Sequence, residues 1–525
     1  MEVLVAASLC AALFAVHVAA FDLLCDDSFI SFRYARNLVA GDGLTWNPGE
    51  RVEGYTNFAW VLMMAAALRA GLPVEAVARV LGVVSGLFVL AAVALLASRR
   101  RPPWRWTVWI APTALAAHGS FAAWSTSGME TTFFTALVVG AVLAYLRESG
   151  ERSERPWLSA LLLAAAGLTR PEGALFIAAL GACHLVEVAG RRRTVRSLLF
   201  WGACCVAPLA VHLLWRHHYY GFWLPNTFHA KVEGWAFGRG LSYLLLFHRT
   251  YQIGWFLPLA LLAVAVRRRR DLLVASALAA PYLIYVAAIG GDRLELRFIV
   301  PVLPLLYWLV AEGIAWLAEG PLARPAGRRL GLVAAGLLAA TLVGVTAWGG
   351  RRRVPQEERG GTASLSVIRN YARNRVEDGR YLRGLIERGE LPDDLTVCVG
   401  GAGAVPYYTR WPTVDRRGLN DVRIARLPAR PRAAPGHLRE IPYGYLEERD
   451  VVVFDVFNDL VQTAPWKDLA TRHRFEGRRL RIRAIRLDEE RYLVFASLVS
   501  DRRLAEIFPG REILTRPPRR DILSP

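Results

Sequence analysis

A polytopic α-helical membrane protein with a C-terminal α/β or β-rich soluble domain is the fold class this sequence predicts, and three observations predict it. Hydrophobic residues make up 54% of the 525-residue chain, gathered in stretches near the length of about 20 residues that a bilayer crossing needs. The formal net charge of +19 falls in short arginine bursts between those stretches. From Gly350 onward the pattern changes to a polar chain of about 175 residues, long enough for one soluble domain.

Taken in order, the apolar stretches give about eleven spans, at 3–21, 76–98, 104–121, 131–146, 157–169, 172–189, 197–215, 250–266, 272–289, 297–317 and 329–348. The first lacks the basic start of a signal peptide and is followed by further spans, so it reads as a retained helix. The arginine clusters at 99–101, 147–155, 191–196, 267–270 and 324–329 all fall on one side in this count, which the positive-inside rule makes cytoplasmic. Stretch 58–72, short for a span and interrupted by Arg69, is expected to lie along the outer surface as an amphipathic helix. An odd number of spans puts the C-terminal part outside. The expected domains are therefore 1–349 in the membrane and 350–525 extracytoplasmic, where short apolar runs at 395–399 and 451–454 alternate with Arg/Glu-rich helical stretches.

This setting excludes several function classes. A soluble nucleic-acid binder would collect its charge on one face of a polar domain, whereas these arginines punctuate apolar stretches, so the bilayer and not nucleic acid is the expected partner. The six cysteines form no spaced framework, and neither a metal site nor a disulfide scaffold is indicated.

The unusual polar motifs all land on the expected outer face. Foremost is Asp26-Asp27-Ser28, just past the first span, because two adjacent carboxylates at the mouth of a membrane helix are costly unless water, a partner or a reaction uses them. In an extended segment neighbours point opposite ways, so one carboxylate is expected to face the reacting centre and the other to orient a partner or cap a turn; Asp27 is favoured over Asp26 for the reaction. Ser127/Glu130, Thr169/Glu172 and Asp292/Glu295 each fit a capping box, which would aim helix N-termini at an anion such as a phosphate. Arg293 and Arg297, four residues apart, would share one helix face and add full charge, or else snorkel to the interface. Lys231, in a chain that otherwise relies on arginine, is expected to contact a phosphate or sugar.

These residues carry a resemblance. Asp26-Asp27-Ser28-Phe29-Ile30-Ser31-Phe32-Arg33-Tyr34, Val52-Glu53-Gly54-Tyr55-Thr56-Asn57, Ser127-Gly128-Met129-Glu130-Thr131, Arg170-Pro171-Glu172-Gly173, Pro225-Asn226-Thr227 with Lys231, and Gly291-Asp292 before Arg297-Phe298 resemble GT-C glycosyltransferases that use polyprenyl-phosphate sugars. More narrowly they are similar to the terminal β-(1→2)-arabinofuranosyltransferases of mycobacterial cell-wall synthesis and their bacterial relatives. In the C-terminal part the resemblance rests on Gly401-Ala402-Gly403-Ala404-Val405-Pro406-Tyr407-Tyr408 and Asp415-Arg416-Arg417-Gly418-Leu419-Asn420-Asp421, and implies a carbohydrate-binding role there. It implies the GT-C fold, Asp27 and Asp26 as catalytic carboxylates, Lys231, Arg293, Arg297, His229 and Arg33 on the donor phosphate, and Glu53, Tyr55, Asn57, Glu130, Arg170, Glu172, Asn226 and Asp292 on substrate. The partners implied are a polyprenyl-phosphate sugar donor, with arabinose or another sugar such as mannose, and a glycan acceptor. A sugar on a lipid monophosphate already carries a good leaving group, so no cofactor is required. The reading from another class is a lipid-linked-glycan transporter or glycan-binding membrane protein; a transporter would keep its ionisable groups near the bilayer midplane, whereas here they collect at one face.

Overall fold

The computed structural model describes residues 2–99, 102–148, 157–232, 234–319, 328–351, 361–430 and 436–516. Parts of the arginine clusters at 99–101, 147–155 and 324–329 lie outside these residues. The chain divides into two compact units, one of residues 1–24, 56–223 and 234–368, the other of 25–55, 224–233 and 369–525. Two segments of the expected membrane part, with the Asp26-Asp27 run in the first of them, thus pack with the C-terminal chain.

The first unit is helical. Among the described residues seven helices are long and apolar enough to cross a membrane: Glu2–Ala20, Val74–Ser98, Thr131–Glu148, Val195–Tyr220, Arg270–Ile289, Arg297–Glu319 and Arg329–Arg351. Phe237–Tyr251 and Ile253–Arg267, bent by 85°, would make an eighth if they are one span; the bend falls at Gln252, whose φ is +55°. The expected span at 104–121 is instead broken into Arg105–Trp109, Ile110–Ala116 and Gly119–Thr126, because the backbone leaves the helical region at His118, whose ring caps the next helix by accepting from Phe121 N. The expected spans at 157–169 and 172–189 form helices of 13 and 17 residues, short for a straight crossing. The stretch 58–72 holds a helix, Phe58–Arg69.

Burial sorts these helices. The apolar stretch of Arg297–Glu319 is 94% buried within the protein, whereas those of Glu2–Ala20 and Val195–Tyr220 are 17% buried, so the first is the bundle's axis and the others offer their side chains outward. With no water to drive helices together in lipid, close backbone approach does much of the packing. Gly82 shows it: a Cβ there would lie 2.2 Å from Ser125 O.

The second unit holds the sheet. Strands β1 (Val397–Val399), β2 (Thr413–Asp415) and β3 (Val453–Phe454) are parallel in the order β2-β1-β3. The sheet turns antiparallel through β8 (Tyr492–Ser497), β7 (Arg481–Arg486) and β9 (Ile513–Leu514), with β4 (Val461–Gln462) also on β8, while β5 (Arg474–Phe475) and β6 (Arg478–Arg479) form a separate pair. Alternating residues of β7 and β8 feed two apolar cores, one with Ile485, Leu493 and Phe495, the other with Ile482, Val494 and Ala496, as the two-residue period of a strand requires. The helices Ser28–Ala40 and Leu365–Glu387 contribute to this unit.

Candidate functional site

In the helical unit the expected substrate residues form a buried ionic network. Asn57 Nδ2 donates to Glu130 Oε2 at 2.8 Å, and Arg170 Nη1 donates to Glu130 Oε1 at 2.8 Å. Arg170 also grips Glu172 with two nitrogens, Nη2 at 3.0 Å and Nε at 3.3 Å, and all three charged side chains are at most 8% exposed. Arg297 Nε donates to Asp292 Oδ2 at 2.6 Å. The Phe298 ring centroid lies 5.3 Å from both the Arg170 and Arg297 guanidinium carbons, so the two cations share one aromatic ring.

This geometry corrects the capping-box expectation. Glu130 precedes the helix Thr131–Glu148 and Glu172 is the N-cap of Gly173–Ala189, without a side-chain cap; both are spent on Arg170. Thr169 Oγ1 donates back to Ala165 O within the preceding helix. Glu295 accepts from Ser120 Oγ at 2.7 Å, with its other carboxylate oxygen buried and without a hydrogen-bond partner, and burial pushes it up to about 7, against the Ser120 hydrogen bond. Nor do Arg293 and Arg297 share a helix face: residues 292–296 lie outside any helix, Leu296 has φ +38°, and the 3-10 helix begins at Arg297.

In the sheet-bearing unit the acidic run is held by its neighbours. Asp26 is 5% exposed and Asp27 half-buried. Asp26 Oδ1 accepts from Ala404 N at 2.8 Å. Asp27 stands at the N-cap position of Ser28–Ala40, but its side chain makes no capping hydrogen bond. The turn between them is fixed by Ser28 N on Cys25 O and Phe29 N on Asp26 O.

Other expected residues of this unit are committed to holding the fold. Arg33 is 1% exposed and gives its nitrogens to Trp46 O, Pro406 O, Thr413 Oγ1, Asn47 Oδ1 and Trp411 O at 2.9–3.3 Å. Burial, then the neighbouring Arg36, pushes it down to about 9, which still leaves it charged at neutral pH. Asn226 Nδ2 donates to Gly418 O and Leu419 O at 2.8 and 2.9 Å, while its main-chain N reaches Glu53 O at 3.0 Å. The Tyr34 hydroxyl donates to Val52 O and accepts from Gly54 N, and its ring packs edge-on against Tyr55 at 4.8 Å. The Asp415 to Asp421 motif is a turn tied by its own carboxylates, with Asp415 accepting from Arg417 N and Asn420 N, and Asp421 capping the helix Val422–Ala425. The His229 carbonyl accepts from Arg439 Nη2 at 3.1 Å; burial, then Arg426 and Arg439, lower its ring's pKa. Lys231 is exposed.

Sequence reasoning passed over Tyr371, Arg375 and Asp455. Arg375 donates to Asp455 Oδ2 at 3.2 Å with both side chains at most 2% exposed, its guanidinium 5.2 Å from the Tyr371 ring. Their signal was faint: single polar residues in an Arg-rich helix and after a two-residue strand. Among the described residues no group of three His, Cys, Asp or Glu side chains is arranged to hold a metal ion.

In fold the chain is similar to several solved proteins. ArnT from Cupriavidus metallidurans, solved bound to undecaprenyl phosphate, matches with TM-score 0.53 at 14% identity over 79% of this chain and 85% of that one. The archaeal oligosaccharyltransferase AglB from Archaeoglobus fulgidus, solved with an inhibitory peptide and a dolichol-phosphate, matches with TM-score 0.54 at 11% identity over 97% of this chain and 75% of that one. At these identities the likeness is one of fold. In sequence the chain resembles the terminal β-(1→2)-arabinofuranosyltransferase of Mycobacterium tuberculosis, with 32% identity over 319 residues, 55% of this chain and 49% of that protein; it spans about half the length of that relative. Residues 369–495 match a domain of unknown function, DUF8728.

Proposed function

We propose that this protein is a membrane glycosyltransferase that moves arabinofuranose from polyprenyl phosphate to a cell-wall or surface glycan on the outer face of the bacterial cell membrane. The observation that carries the reading is the 32% identity over 319 residues to an arabinofuranosyltransferase, on a fold like that of ArnT, which was solved with undecaprenyl phosphate. The anchored acidic run supports it, since the transfer needs a carboxylate near the anomeric carbon.

In the transfer the bond from the anomeric carbon to the phosphate oxygen breaks, its electron pair leaving with the polyprenyl phosphate, and a bond forms to an acceptor hydroxyl. Asp27 takes the hydroxyl proton where the configuration inverts. Where it is retained, Asp27 attacks the anomeric carbon as the phosphate leaves and the acceptor hydroxyl then displaces Asp27, or the hydroxyl attacks on the front face; in both, the departing phosphate takes the hydroxyl proton. Lys231, in the same unit as Asp27, meets the departing charge, and no metal or other cofactor is called for. Arg297 is already paired with Asp292, so its part is to place that loop rather than to neutralise the phosphate alone.

The reading includes about eleven crossings with the arginine clusters inside and the sheet-bearing unit outside. Cysteines introduced at the exposed positions Arg192 and Arg502 test the orientation: a membrane-impermeant thiol reagent applied to intact cells should modify the second and spare the first, and the reverse would put the acidic run in the cytoplasm. The activity is tested by giving membranes radiolabelled polyprenyl-phosphate arabinose, or its mannose counterpart, with an arabinan oligosaccharide. Label should pass to the oligosaccharide from the arabinose donor. Transfer only from mannose would reassign the sugar, and binding without transfer would make the protein a glycan binder.

A further inference from the structure

Resting on that reading, we propose that Asp26 is a positioning residue, clamped by the glycine-rich turn after β1, so that the C-terminal chain fixes the acidic run and presents Asp27 for reaction. The clamp is built from several directions. Ala404 N donates to Asp26 Oδ1 at 2.8 Å. The backbone beneath it is open only because residue 403 is glycine: a Cβ there would sit 2.1 Å from Asp26 O and 2.4 Å from Asp26 Oδ2. A Cβ on Gly401 would sit 2.0 Å from the Tyr371 hydroxyl and 3.5 Å from Asp26 Oδ2, so the tyrosine and the carboxylate converge on the same bare stretch of backbone. Arg375, held by buried Asp455, exerts its charge on both Tyr371 and Asp26.

The consequence runs through one peptide bond. Asp26 is fixed through its carboxylate to Ala404 and through its carbonyl to Phe29 N, and Asp27 follows directly at the start of Ser28–Ala40. Holding a reacting group within a fraction of an ångström is where such support counts, because a displacement of about 1 Å can cost about a hundredfold in rate. The glycines of the 401–403 turn, a motif otherwise taken for carbohydrate binding, then serve the chemistry by letting Asp26 approach the backbone.

The two roles respond differently to asparagine. Asn at 26 keeps an oxygen for Ala404 N–H, and Arg375 keeps Asp455, so Asp26→Asn should retain turnover within about tenfold and keep the wild-type pH profile, whereas Asp26→Ala loses the anchor and should lose about a hundredfold in kcat with KM little changed. Asp27→Asn should lose about a hundredfold although its size is kept. Turnover of the three full-length variants, each first shown to unfold at the wild-type temperature in detergent, separates the outcomes. Recovery of activity in Asp26→Asn relative to Asp26→Ala supports the clamp. Asp26→Asn as inactive as Asp26→Ala, with or without loss in Asp27→Asn, overturns it while leaving the acidic run catalytic. Near-normal turnover in every variant defeats the reading of the acidic run itself. Should Asp26→Ala fail to fold, Gly403→Ala is the second way to displace Asp26, and full activity there would also overturn the clamp.

Discussion

Arg170 in the helical unit and Arg33 in the sheet-bearing unit are buried arginines satisfied by different means. In the helical unit Glu130, Glu172 and Asp292 are answered by the guanidinium groups of Arg170 and Arg297. In the sheet-bearing unit Arg33 and Asn226 turn almost wholly to carbonyl oxygens. The difference follows from what each fold leaves open. Helices satisfy most of their own backbone, so a buried guanidinium among them finds mainly other side chains to meet, whereas the loops joining strands leave carbonyls that need donors. An ionic network between helices can rearrange when a charged ligand arrives, while an arginine woven through carbonyls holds a shape. The first arrangement suits contact with a charged substrate and the second suits anchorage.

The sharpest way to break this comparison is to remove Arg170. Arg170→Met would strand two buried carboxylates, and losing one partner of such a pair costs about 3–5 kcal/mol. Thermal unfolding in detergent should fall steeply, and the double change of Glu130 and Glu172 to Gln in the same background should restore much of it. A small effect would mean that water reaches the network. Arg33→Ala should cost about 2–3 kcal/mol, because several buried carbonyls lose a charged donor at once, and no neutralisation of a carboxylate should rescue it. Rescue of that kind would erase the distinction between the units.

A smaller effect concerns pH. Burial pushes Asp378 from 3.8 up to about 7, with Asp459, Asp455 and Glu377 adding to the rise and Arg375 opposing it. Between about pH 4 and 7 the folded protein holds a proton that the unfolded chain has released, so this residue's stabilising contribution is complete below pH 4 and is lost as pH rises to 7. Asp378→Asn should flatten that fall when thermal midpoints are compared at pH 4.5 and 7.5, and an unchanged slope would place the titration elsewhere.

What the sequence made legible depended on how local its causes were. The short helix at 58–69 and the long spans follow from apolar length, which any window reveals. The capping-box reading of Glu130 and Glu172 failed because a serine or threonine three residues ahead of a glutamate looks the same whether the helix starts between them or after them; Arg170, 40 residues beyond Glu130, decides which. The pairing of Arg293 with Arg297 failed at Leu296, where a left-handed backbone interrupts the helical spacing. Least legible was the attachment of residues 25–55 to the C-terminal chain, since the contacts of Asp26 with Ala404 and of Arg33 with Pro406 join positions 378 and 373 residues apart, beyond the reach of any periodicity.

The central claim, that the Asp27 carboxylate takes part in sugar transfer from a polyprenyl phosphate, is tested most directly by measuring turnover and donor binding together for purified wild type and Asp27→Asn, with a non-hydrolysable polyprenyl-phosphate arabinose as the binding probe. The account predicts a loss of about a hundredfold or more in turnover, with donor affinity held within about threefold. Near-normal turnover in the variant, or a loss of donor affinity as large as the loss of turnover, would contradict it.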